Sequence, residues 1–180
     1  MAAVTEIREK IEFSNGVEIT IDEKTVHVKG EKGSLSKILS YPKIGITVKN
    51  NIVEISCLNF PKRKEKALIG TFKAHIKNMI QGVTEGFEYK MKTLFAHFPI
   101  KTSIEGDTFV IQNFLGERSP RKAIILDGVT VESKGENVTV SGIDKEKVGQ
   151  TAANIERATK VKKRDIRVFQ DGVYIVSKRG

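Results

Sequence analysis

Five cations, Lys160, Lys162, Lys163, Arg164 and Arg167, stand within eight residues near the C-terminal end of the sequence. The stretch before them, "GQTAANIERAT", carries small and apolar residues at helical spacing, and "GVYIV" after them alternates like a strand. Cations near a helix C-terminus gain roughly 0.3–1 kcal/mol each from the helix dipole, and only within the last turn. That accounts for one or two of the five. The remainder repel one another unless an anion is supplied, so the run reads as a phosphate-binding loop in preference to a solvated charge run.

Weaker patches accompany it. "PKRKEK" places Lys62 and Arg63 before a helical stretch, with Glu65 interrupting the charge, and "NFLGERSPRK" sets Arg118, Arg121 and Lys122 around Pro120. Either could touch phosphate or simply be solvated. "GEKG", Gly30 to Gly33, fits the GxxG loop with which KH domains clamp an RNA backbone. That loop joins two helices, whereas here the preceding "TVHVK" reads as a strand, so a turn after a strand is the better reading. Few aromatics interleave with the cations; Phe169 and Tyr174 fall in a final hairpin-like segment, which favours contact to backbone phosphates and RNA shape over base reading.

Enzyme chemistry has no visible home. His27, His75 and His97 are scattered, with no metal-ligand spacing to carboxylates or to Cys57, the single cysteine. Cys57 follows the strand-like "VEIS" and reads as a small buried residue. No Walker loop, nucleophile elbow or dinucleotide fingerprint occurs in the sequence. We therefore expect no catalytic residues, no metal and no cofactor.

The elements that must hold the basic loop are written twice. "VEITIDEKTVHVKGEKG" lies over "IKTSIEGDTFVIQNFLG" without a gap, so that Ile21 meets Ile104, Thr25 meets Thr108, Val28 meets Ile111 and Gly33 meets Gly116. "GITVKNNIVEIS" then matches "GVTVESKGENVTVSG", and "KEKALIGTFKAHI" matches "KEKVGQTAANI", aligning Gly70 with Gly149. Period-two segments such as "VEITI", "TVHVK", "ITVKN" and "IVEIS" predict strands buried on one face. The short turns "SNG", "KNN", "KGEN" and "QDG" predict antiparallel pairing.

Each copy ends in a helix. Leu68, Phe72, Ile76 and Met79 form one apolar stripe; Val148, Ala152, Ile155 and Ala158 or Thr159 form the other. Gly82 is the expected stop of the first helix and Asp144 the expected N-cap of the second. The fold class is therefore α+β: two similar domains from internal duplication, 1–82 and 83–180, each a small, mainly antiparallel sheet packed on one helix. A strand from the join "QGVTEGFEYK" could complete either sheet.

Composition agrees with a polyanionic partner. The 180 residues carry 31 Lys and Arg against 22 Asp and Glu, a formal net charge of +9. A lone cysteine suits a reducing, cytoplasmic setting. No apolar stretch approaches the roughly 20 residues needed to cross a bilayer, and "MAAVTEIREKIEF" lacks the apolar centre of a signal peptide.

The duplicated plan, together with "VEITIDEKTVHVKGEKGSLSK", "ALIGTFKAHIKNMIQGVTEGFEYKM" and above all "VGQTAANIERATKVKKRDIRVFQDGVYI", resembles ribosomal protein six of the large subunit in its archaeal and eukaryotic form. The resemblance covers nearly the whole chain, and its length looks archaeal. It implies a structural constituent of the large ribosomal subunit that binds large-subunit (23S-type) rRNA, mainly through the second domain, near the sarcin-ricin region and the stalk base. The contacts it implies are Lys160, Lys162, Lys163, Arg164 and Arg167, with the face of Gly149, Gln150, Thr151 and Asn154 close by, the glycine permitting close backbone approach. Expected partners are rRNA and neighbouring ribosomal proteins, with translation factors at the stalk base as further candidates and no membrane. The competing readings are a free RNA-binding regulatory protein and, with no cluster of carboxylates or histidines to support it, an RNA-processing enzyme.

Overall fold

A computed structural model describes residues 6–14, 16–58 and 61–179. The expected turn "SNG" contains Asn15, which lies outside the described residues. The chain divides into two compact units, Met1–Glu85 and Gly86–Gly180.

The first unit contains β1 (Glu6–Glu12), β2 (Glu18–Asp22), β3 (Thr25–Gly30), β4 (Gly33–Ile38), β5 (Ile44–Lys49), β6 (Ile52–Leu58) and α1 (Arg63–Thr84). The second contains β7 (Phe87–Leu94), β8 (Lys101–Glu105), β9 (Thr108–Gln112), β10 (Arg121–Ile124), β11 (Val129–Lys134), β12 (Asn137–Gly142), α2 (Lys145–Ala158) and β13 (Gly172–Arg179). All strand pairing within them is antiparallel.

The sheets make the duplication visible. In the first unit the orders are β1-β6-β5 and β2-β3-β4; in the second they are β11-β12-β7-β13 and β10-β9-β8. Each unit thus carries two small sheets against one helix, where the alternation alone suggested one. α1 packs on β3 and β4 of one sheet and on β1 and β6 of the other, and α2 likewise reaches β10 on one side and β7, β12 and β13 on the other. The register repeats residue by residue. Asp22 pairs with Thr25, and Glu105 with Thr108, across equivalent two-residue turns. Such turns need left-handed backbone, which Glu23 adopts at φ 49° and Gly106 at φ 56°.

Apolar side chains from both sheets meet the helix. Val28, Val53, Ile55, Ile69 and Ile76 fill the first core; Phe109, Ile111, Val138, Val140, Ala152 and Ile155 fill the second. The α1 stripe includes fully buried Ile69, with Leu68 only half-buried. Cys57 is fully buried.

α1 also runs past Gly82, which is buried inside the helix. The stop is supplied by Gly86 at φ 77°, beyond the final Glu85 N to Gln81 O bond of 2.9 Å. The join between the units accordingly falls after Glu85 and not after Gly82. Two-residue pairing of Gly30 with Gly33 makes "GEKG" the turn of a hairpin. Its Lys32 amide donates to the Val83 carbonyl at 3.0 Å, and a Cβ on Gly30 would stand 2.7 Å from the Val83 side chain. That glycine serves close packing against the helix end.

The other expected hairpin does not form. β13 pairs with β7, far back in the chain, and the stretch before it is irregular, so "QDG" leads into a strand without turning between two.

Candidate nucleic-acid interface

The basic loop is fixed to the second unit at both ends. α2 begins at Asp144, whose carboxylate accepts the Glu146 amide at 2.9 Å, and ends against the sheets through Ile155 and the buried Thr159. The Thr159 hydroxyl accepts the Val173 amide at 3.0 Å, so the end of the helix and the start of β13 hold each other. Val161 is buried within the cationic run, a peg between Lys160 and Lys162.

Helix carbonyls at a C-terminus lack intrahelical partners. Here they are met by Arg121 of β10. Its Nη1 donates to Ala158 O at 2.9 Å and Lys160 O at 3.1 Å, and its Nε and Nη2 donate to the Glu117 carboxylate at 2.8 and 2.6 Å. The guanidinium lies 4.1 Å from the centre of the Phe114 ring. Hydrogen bonding from Arg121, then the positive charges of Arg121 and Arg164, hold the Glu117 carboxyl below the usual glutamate range. Arg121 therefore is not the free phosphate contact that the sequence suggested; all three of its guanidinium nitrogens are engaged in mounting the loop.

The peptide that carries Arg121 is tightly wound. Asn113, Leu115 and Gly116 all have positive φ, at 60°, 51° and 76°. For a leucine that conformation costs energy and survives only where the surroundings enforce it. The conformation follows buried Phe114, the ring beneath Arg121, into the core.

Beyond Val161 the side chains turn outward. Lys162, Lys163, Arg164 and Arg167 are exposed, as is Lys160, and the ammonium groups of the three lysines have no partner among the described residues. Lys163 sits at φ 58°, marking the sharpest bend of the loop. Arg164 stacks over Phe169, 4.9 Å from the ring centre. Arg167 is a different case. Its Nε and Nη2 reach Asp165 at 3.2 and 2.9 Å, and its amide donates to the same carboxylate at 2.9 Å. These bonds push the Asp165 carboxyl down from its ordinary value. Asp165 is the residue that charge counting passed over, although its place two residues before Arg167 was legible.

The remaining expected contacts divide. Arg118 and Lys122 are exposed and have no partner among the described residues. Gln150 and Asn154 are linked at 2.8 Å on α2, and Asn154 Nδ2 donates to Ile124 O at 3.1 Å, tying the helix face to β10. Thr151 is fully buried and its hydroxyl accepts the Leu126 amide at 3.2 Å, so it is a packing residue and not an RNA contact. The missing side chain of Gly149 faces Tyr89, where a Cβ would find ordinary contacts of 3.7 Å. Lys62 and Arg63, exposed at the start of α1, belong to the first unit. Their charge opposes the positive end of the helix dipole, so helix stability does not explain them.

His27 lies 3.4 Å from Asp22, and His75 lies 3.2 Å from the Lys37 ammonium. No described helix is long and apolar enough to cross a membrane.

Comparison with known proteins adds to this geometry. The family profile described as ribosomal protein L6 matches residues 13–86 and again 98–172, one match in each unit. The chain is 54% identical over 179 residues to the large ribosomal subunit protein uL6 of Methanobrevibacter smithii, covering 99% of both chains. It is 51% identical over 174 residues to the protein of the same name from Methanococcus vannielii, covering 97% of this chain and 95% of that one.

Proposed function

The chain belongs to the ribosomal protein L6 family, and from that premise we propose that it docks on large-subunit rRNA through the loop from Lys160 to Arg167. It is a protein of the large ribosomal subunit, in a family of structural proteins and not of enzymes. The proposed site of docking is near the sarcin-ricin region and the base of the factor-recruiting stalk, with neighbouring ribosomal proteins around it and translation factors within reach. The second unit carries the principal rRNA contact.

The observation that supports this reading most is the contrast between mount and surface. Arg121, Thr159 and Val161 fix the backbone of the loop, while Lys160, Lys162 and Lys163 are left with no counter-charge among the described residues. Like charges held together on a rigid support raise the energy of the free protein and are relieved by a polyanion. Arg118 and Lys122, on the peptide that carries Arg121, extend the same cationic surface.

The test is the triple change of Lys162, Lys163 and Arg164 to Ala in the full chain. Binding to a large-subunit rRNA transcript should weaken, and the slope of log affinity against log salt should shrink by about two to three, since each phosphate neutralised contributes close to one. Thermal unfolding should hardly move, because the three side chains are exposed. A folded triple variant that binds as tightly, with the same slope, would overturn the proposal.

A further inference from the structure

Behind the basic loop lies a cleft of about 470 Å³ whose walls include Arg157, Lys160, Val161, Ile166, Phe169 and Tyr174. Its composition is unusual for the underside of a cationic loop. Ile166 is 68% exposed and Tyr174 38% exposed, although both are large and apolar in body. A free surface gains nothing from holding such groups in water.

The Tyr174 ring is held in a defined place. Gly172 precedes it by two residues on the same face of β13, and a Cβ there would stand 3.0 Å from the ring carbons and 3.1 Å from the hydroxyl. The ring therefore lies back over the glycine, toward the end of β13 from which the basic loop arrives. Phe169 forms another wall, and the Arg164 guanidinium already stacks on that ring. A planar cation on one aromatic and a second aromatic nearby make a setting for flat, partly polar rings.

We infer that this cleft receives an unpaired nucleobase of the RNA, stacked against Tyr174, while Lys160 and Arg157 meet the adjoining phosphates. This rests on the rRNA-docking reading above and extends it from backbone contact to base contact. The occupant follows from continuity and charge: Lys160 belongs to both the cleft and the cationic run, and a nucleotide brings a π-face and an anion together. No single standard amino-acid side chain carries both. Glu156 also lines the cleft, which favours an occupant with a hydrogen-bond donor on its edge, as amino-bearing bases have.

Stacking and phosphate contact have different signatures. Loss of one stacked base costs affinity at every salt concentration without releasing fewer counterions, whereas loss of a phosphate contact flattens the salt dependence. With the full chain and a large-subunit rRNA transcript, Tyr174→Ala should weaken binding about tenfold, Tyr174→Phe should bind nearly as the parent, and neither should change the salt slope. Ultraviolet cross-linking of the unaltered protein on the same transcript should place a nucleotide on the tryptic peptide 168–178, which requires no variant to fold.

Full affinity in Tyr174→Ala, with the Lys162, Lys163 and Arg164 triple variant still weakened, would overturn the base-binding inference and leave the docking proposal standing. Full affinity in both would overturn both. Cross-linking of peptide 168–178 to a neighbouring protein in intact subunits, with no nucleotide on it, would assign the cleft to a protein partner and also overturn the inference.

Discussion

Arg121→Lys separates mounting from binding, because it keeps the charge and removes the fork. The guanidinium gives two hydrogen bonds to Glu117 and one each to Ala158 O and Lys160 O, with its face on Phe114. A lysine keeps an ion pair with Glu117, whose side chain is 41% exposed, so that pair contributes little in either protein. What disappears is at least one charged donor to a carbonyl and the planar stacking, together worth about 2 kcal/mol. For a unit of this size, each kcal/mol corresponds to roughly 4–8 °C, so the second unit's transition should fall by roughly 8–16 °C. Calorimetry of the full chain measures this, with hydrogen exchange of peptides around residues 158–173 showing which unit has loosened. Binding to rRNA should weaken modestly with an unchanged salt slope, since the loop is less well held but no cation has been removed. An unchanged transition, with rRNA binding weakened about tenfold at every salt concentration, would show that the Arg121 fork leaves Glu117 and grips the RNA, and the mounting argument would fail.

Two further outcomes follow from single groups. Gly149→Ala adds a methyl 3.7 Å from Tyr89 inside α2, which should stabilise the second unit by about 0.5–1 kcal/mol and leave rRNA affinity unchanged; an affinity loss would show that RNA does approach the helix there. Glu117, Asp165 and Glu9 have carboxyls held below their ordinary values, chiefly by hydrogen bonds from Arg121, Arg167 and Lys73. A carboxyl depressed in the folded state contributes stability above its unfolded value, and that contribution is lost as pH falls from there through the folded value. Acid titration followed by circular dichroism should therefore show unfolding on the acid side, with Glu117→Gln making the second unit's acid limb shallower.

What was legible in the sequence was whatever is local. Strands such as β3 and β6 announce themselves because one face is buried and the other wet, and the hairpin β11-β12 follows from "KGEN" between two alternating runs. β1 hides. In "EIREKIE" the two isoleucines are four apart, a helical spacing, and Glu9, between them on the same face, is met by Lys73 of α1 at 2.6 Å. The division into two sheets, the pairing of β13 with β7, and the inward turn of Arg121 all depend on residues distant in the chain. Charge counting therefore overcounted the free cations, since Arg121 of the patch around Pro120 and Arg167 of the run are already engaged with Glu117 and Asp165.

Comparing the two copies explains why the loop belongs to the second. In the first unit the chain leaves α1 for Gly86 and the next unit, so β1 borders only β6 among the described strands. Its Glu6, Arg8, Lys10 and Glu12 are the kind of side chains that keep an edge from pairing with other chains. β7 holds the equivalent place in the second unit but presents buried Phe87, Tyr89 and Met91, and β13 covers its edge. The loop from Lys160 to Asp171 is the connection that brings β13 there, so its charges are tethered to a strand the core requires: Val173 is fully buried. A chain ending after Lys160 should lose the β7 partner, expose that flank and aggregate on light scattering, whereas the Lys162, Lys163 and Arg164 triple variant should remain monodisperse. A truncated chain that stays monodisperse and keeps its second-unit transition would show that β13 is an ornament of the fold and that the loop is held by Arg121 and Val161 alone.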